Sequence, residues 1–86
     1  MQKTIQINSK EWTQIHDGSY PNEWLYVYNR GNTSIVYLVE SLTEPTNKNI
    51  GVPISPLDGR RCNGKLPVWS IVQHGSVSPI TIEVVE

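Results

Sequence analysis

Phenylalanine is absent from this chain, methionine and cysteine occur once each, and neither sign of charge is in large surplus. With Cys62 as the one cysteine, no intramolecular disulfide can form, which removes the usual support of secreted mini-domains. Seven Lys and Arg against eight Asp and Glu give a net charge of -1. Such a balance supplies no whole-molecule attraction to nucleic acid or to an anionic membrane, so neither is among the expected partners. No stretch approaches the roughly 20 apolar residues of a membrane span. The segment Met1 to Ile7 also lacks the apolar core of a signal peptide, so a soluble chain made in the cytoplasm, and not secreted by a signal peptide, is expected. Gly18, Gly31, Gly51, Gly59, Gly64 and Gly75 are all isolated and suit turns, which leaves no glycine-rich phosphate loop. At 86 residues the chain reads as a single domain over residues 1–86. A domain of that size hides only somewhat over ~60% of the surface its unfolded chain exposes. Without a disulfide, oligomerisation is the remaining common route to stability.

What is present is a run of short β signals separated by turn formers, the pattern of an all-β sandwich or barrel. Trp24 to Glu40 carries the strongest of them: two aromatic and β-branched runs joined by Asn29-Arg30-Gly31-Asn32. Gly31 and the two asparagines tolerate positive φ, so the sequence predicts a hairpin with a loop at Arg30-Gly31 or Gly31-Asn32. In either register Trp24, Tyr26 and Tyr28 lie beside Ile35, Tyr37 and Val39, and Leu25 and Val27 beside Val36 and Leu38. Both faces are then apolar, one aromatic and one aliphatic, which calls for a second layer or a neighbouring subunit. Around this hairpin, Gln2 to Asn8 reads as a strand with Ile5 and Ile7 on one face, and Glu11 to His16 as a shorter one with Trp12 and Ile15 turned inward. The window Ser9 to His16 is the one worth testing for helix, yet Thr13 and Ile15 favour strand. Asp17 to Asn22 is a loop, and Thr43 to Asn49 a surface crossover between sheets. Ile50 to Ile54 reads as an edge strand, because Pro53 cannot donate to a central ladder. Asp58-Gly59 and Asn63-Gly64 are turn dipeptides that leave Arg60, Arg61 and Cys62 at most a very short strand. Leu66 to Gln73 and Pro79 to Val85 complete the set, joined by a turn at His74-Gly75-Ser76. Short connections favour antiparallel neighbours, so the expected fold is a small antiparallel β-sandwich of seven to eight short strands. A five-stranded barrel of the oligonucleotide-binding kind is the alternative.

No constellation reads as catalytic or metal-binding, and no cofactor is expected. His16, Asp17, Cys62 and His74 lack the paired short spacing of structural zinc sites. Cys62 has Arg60 and Arg61 close by, but nothing in the sequence places an imidazole beside it. The carboxylates are scattered at strand ends and turns, where charge serves solubility. Arg30, Arg60, Arg61 and Lys65 lie in expected turns, and with nearby aromatics they are the raw material of a single-strand nucleic-acid platform. Three tryptophans and four tyrosines could equally form a sugar-stacking surface. The plainer reading puts Trp69 and Trp24 in the core or a subunit interface, since something must stand in for phenylalanine. Trp12 and Tyr20 fit that reading less well.

The segments Gly51-Val52-Pro53-Ile54-Ser55-Pro56-Leu57-Asp58-Gly59, Leu66-Pro67-Val68-Trp69-Ser70-Ile71-Val72 and Pro79-Ile80-Thr81-Ile82-Glu83-Val84-Val85 together resemble small tailed-phage virion proteins. The likeness spans residues 24–85, and the basic insert Arg60-Arg61-Cys62 departs from it. It implies a capsid-decoration or fibre-base β-sandwich, bound as an oligomer, a homotrimer by preference, to the major capsid or tail protein of a virion. On that reading the protein is structural and not an enzyme. Trp24, Tyr26, Tyr28, Ile35, Tyr37 and Trp69 would serve subunit or sheet packing, and Arg30, Arg60 and Arg61 lattice contact. Residues 1–9 could act as an exchanged or docking N-terminal arm. Glycan-binding and single-stranded nucleic-acid-binding β modules are the alternatives.

Overall fold

A computed structural model describes residues 2–19, 24–47, 50–63, 65–73 and 77–85, with backbone alone for Gln2, Trp24, Asn63, Val84 and Val85. The roles expected of Tyr20, of the Trp24 side chain, of Gly64 and of the His74-Gly75-Ser76 turn lie outside the described residues. Eight strands follow in order: β1 (Gln2–Ile7), β2 (Thr13–Asp17), β3 (Trp24–Asn29), β4 (Val36–Glu40), β5 (Val52–Ile54), β6 (Gly59–Asn63), β7 (Pro67–Val72) and β8 (Ser78–Val85). They form two four-stranded antiparallel sheets: sheet A in the order β1-β8-β3-β6, and sheet B in the order β2-β7-β4-β5. The protein is an all-β sandwich, with no helix among its described residues.

The pairing has one rule behind it. β4 pairs with β5, β3 with β6, β2 with β7 and β1 with β8, as in one long hairpin whose tip is the β4–β5 connection. Folding that hairpin across itself brings β8 beside β3 and β7 beside β4. The result is the double Greek key of a jelly roll, and it replaces the barrel alternative.

This topology corrects the expected Trp24–Glu40 hairpin, since β3 and β4 belong to different sheets. The reason lies in Asn29, a residue type that suits a turn but here is fully buried. Alternation along β3 puts it on the face of Leu25 and Val27, pointing inward. Its amide Nδ2 donates to the carbonyls of Ser34 (2.8 Å) and Ile54 (3.1 Å), and its Oδ1 accepts from Gly31 N (3.0 Å) and Ser78 Oγ (2.8 Å). The main chain continues the stitching, with Asn29 N donating to Asp58 O, Arg30 N to Pro79 O and Leu57 N to Asn29 O. A two-residue hairpin turn would strand this amide in the core. An arch over residues 30–35 satisfies it and carries the chain to the other sheet.

Two further expectations are corrected in the same way. No crossover between sheets is made from β4 to β5, because the two are neighbours in sheet B; of the segment expected to cross, residues 43–47 are described, with Pro45 buried. β6 is longer than a brief strand between two turns, pairing with β3 from Trp24↔Asn63 to Tyr28↔Gly59. The reversal before it sits at Pro56-Leu57, where Asp58 N bonds Ser55 O and Leu57 takes φ 64°. Pro followed by positive φ is the signature of a type II turn. β5 is an edge strand containing Pro53, as its proline requires.

The interior is aliphatic. Ile7, Ile15, Leu25, Val27, Val36, Leu38, Ile54, Val68, Val72, Ile80 and Ile82 form one cluster with Cys62, which no aromatic joins among the described residues. Each such side chain, fully buried, contributes about 1.5–3 kcal/mol relative to exposure. A register shift between Gln14 and His16 marks a β-bulge, which explains why Ile15 and His16 are buried in succession.

Candidate functional site

Because the core takes the aliphatic faces, Tyr26, Tyr28, Tyr37 and Trp69 stand on the outer sides, while Trp12, expected to fit a core place less well, is buried just before β2. On sheet A, Tyr26 and Tyr28 stand half-buried on the outer face, their rings 5.8 Å apart and 17° from parallel. The guanidinium carbon of Arg30 lies 5.1 Å from the centre of the Tyr28 ring, within cation–π range. Arg30 Nε donates to Thr81 Oγ1 (3.3 Å), and Thr81 and Thr4 hydroxyls are 3.1 Å apart. Arg61 lies directly across from Tyr26 on β6, and Glu83 across from it on β8. Gly59 is required here: a Cβ would press into the Tyr28 ring, which lies over its backbone. The row is thus polar at its rim and aromatic at its centre, with one face of Tyr28 already covered by Arg30.

Sheet B presents a different outer face. Tyr37 pairs across from Ile71, and Val39 from Trp69, all four pointing away from the core. Ile71 is only 1% exposed although it stands on the outer side. Trp69 Nε1 donates to Ser41 O (3.0 Å), which pins the indole along the sheet. Tyr26, Tyr28, Tyr37 and Trp69 therefore do not make one continuous surface. They dress two opposite faces, and Ile35 sits in the arch before β4, where its carbonyl accepts from Gln73 N.

A cleft of about 360 Å³ opens where the β6 edge of sheet A passes the β4–β5 end of sheet B. Its walls include Leu38, Ile50 and Val52, with Glu40, Arg60 and Cys62 also lining it. Gly51, at φ 116°, allows the chain to pass over Leu38 O, where a Cβ would come within 2.8 Å. Burial pushes the Cys62 thiol up to about 11; the Glu40 carboxylate pushes the same way and Arg60 opposes it. A thiol so placed stays protonated at neutral pH and is a poor nucleophile. His16 lies on β2, at the far edge of sheet B from this cleft. Among the described residues no three His, Cys, Asp or Glu side chains gather to hold a metal.

Of the residues picked out in the sequence, the structure brings Arg30 and Arg61 to the tyrosine face and Arg60 to the cleft. Sequence reasoning missed Glu40, Leu38, Ile50 and Val52 as cleft residues, since they meet only through the β4–β5 return. It also missed Asn29, although its position two residues after Val27 marked it as inward-facing. No family model matches the chain, and no curated protein or solved structure matches it.

Proposed function

We propose that this protein is a non-enzymatic structural module of a tailed-phage virion, a capsid-decoration or head/tail accessory subunit. It docks on a repeated protein lattice as a homo-oligomer, a trimer by preference, so that weak single contacts add up. The observation that carries the reading is the placement of the aromatics. Tyr26, Tyr28, Tyr37 and Trp69 are spent on the outer faces while the central cluster is aliphatic and Trp12 alone of the described Trp and Tyr side chains is buried, leaving amphipathic contact area for a partner. The jelly-roll topology also occurs in viral capsid domains, which is support by fold analogy alone. The test is solution mass by light scattering over a dilution series, followed by co-sedimentation with capsids lacking accessory proteins. A stable trimer that sediments with capsids is expected; a folded monomer with no capsid binding would remove the reading.

A single-stranded nucleic-acid binder is the second reading, favoured by the convergence of Arg30 and Arg61 on the Tyr26–Tyr28 pair. It predicts oligonucleotide binding that weakens steeply with added salt, which a protein lattice contact of mixed character would not show.

A further inference from the structure

The four sheet edges are not equivalent. In sheet B, β2 is broken by its bulge, and β5 is three residues long with Pro53 at its centre. Both are forms in which an edge is closed to strand addition. In sheet A, β1 and β6 keep unbroken register with their one partner and contain no proline. β6 alone of these two runs beside the cleft, to which it contributes Arg60 and Cys62. Gly59, Arg60 and Arg61 are exposed.

We infer that β6 is a docking edge for an extended, acidic segment of a partner protein, which adds to sheet A as a fifth strand and drops an aliphatic side chain into the cleft. The inference deepens the protein-binding part of the proposed function and rests on it. In strand addition the main chain supplies affinity and pockets for alternate side chains supply selectivity. The inward residue meets Leu38, Ile50 and Val52, so an aliphatic side chain fits, with Glu40 and Arg60 offsetting each other at the cleft wall. Outward residues meet Arg61, which stands across from Tyr26 on the outer face, whereas Arg60 stands across from inward Val27 and lines the cleft, so acids fit at the outward positions beside Arg61. The same charges argue against a second copy of this chain as the occupant. β6 laid against β6 sets arginine against arginine, and β1 offers Lys3 and no acid.

The probe is a fluorescein-labelled seven-residue peptide of alternating Glu and Val, titrated into the full chain and followed by anisotropy and by amide hydrogen exchange. Expected are saturation below about 1 mM, slowed exchange in β6 with β2 and β5 unchanged, and at least tenfold weaker binding by Arg61→Glu and by Val52→Asp. A peptide with Lys in place of Glu should recover binding to Arg61→Glu, which separates lost charge from lost fold. No saturation, protection at another edge, or binding indifferent to the charge swap would overturn the proposal. So would β6 protection that rises with protein concentration in the absence of peptide, which means a second copy is the occupant. An oligomer whose β6 exchange is unchanged and which ignores the peptide would sink this edge and leave the assembly reading standing. A monomer that binds the peptide would do the reverse.

Discussion

Sheet A and sheet B are built from the same number of strands yet solve opposite problems. Sheet A has long regular strands, a polar aromatic outer face and buried polar groups that all find partners: Asn29 with Ser78, and Thr81 with Thr4 and Arg30. Sheet B has a bulged edge, a proline edge and an apolar outer face on which Ile71 is buried. Ser70 Oγ, in its interior, has no hydrogen-bond partner among the described residues. The difference suggests that sheet A is arranged to meet something and sheet B to be closed off, and it can be broken or sharpened by substitution.

The largest effect is expected where the two sheets are joined. Asn29→Ala removes four hydrogen bonds and leaves Ser78 Oγ, Gly31 N and two carbonyls short of a partner. A loss of about 3–5 kcal/mol follows, which lowers the thermal midpoint by more than ~12 °C. Circular dichroism melts measure this directly, and a midpoint within a few degrees of the parent would mean the arch is held by its main-chain bonds instead.

Next come the two outer faces. Ile71→Ala should cost about 2–4 kcal/mol, as in a true core. Tyr26→Ala should cost under about 1 kcal/mol, because its ring is half in water. Equal costs in urea melts would erase the distinction between the faces.

These two sites also show how much of the fold was legible in the sequence. Strand alternation put Leu25, Val27, Val36 and Leu38 on one face and Tyr26, Tyr28 and Tyr37 on the other, because a period of two is a property of the local backbone, but which face turns inward was not legible. Which strand lies beside which was not legible. Asn29-Arg30-Gly31-Asn32 has the composition of a tight turn, and only the distant partners Ile54 and Ser78 make it an arch. The cleft was hidden for the same reason, since Glu40 and Cys62 meet through pairings far apart in sequence. Pro53, by contrast, announced an edge by what its own backbone lacks.

The flank where the sheets diverge gives a smaller, pH-dependent effect. The folded protein holds the Cys62 thiol at about 11 against an ordinary value of 9.0. The neutral thiol is therefore favoured by folding: its contribution is whole below pH 9 and is lost as the pH rises toward 11. Cys62→Ala should remove that slope, on the order of 1–2 kcal/mol once solvent screening at the cleft is allowed for. Parallel denaturant titrations at pH 8, 9.5 and 11 would reveal it, and identical pH profiles for the two proteins would place the thiol in water.

The smallest effect tests the unpartnered hydroxyl inside sheet B. Ser70→Ala deletes a fully buried Oγ that no described group satisfies, and the small void it leaves opposes the gain, so stability should hold or rise by up to about 1 kcal/mol. Ser78→Ala is the matched change in sheet A, equal in size but removing the 2.8 Å bond to Asn29 Oδ1, and it should cost about 1–2 kcal/mol. Opposite signs for one chemical change would mean that sheet A's interior is held by direction and sheet B's by volume. If both lower the thermal midpoint alike, Ser70 has a partner in solution, and the contrast between the sheets is confined to their edges and outer faces.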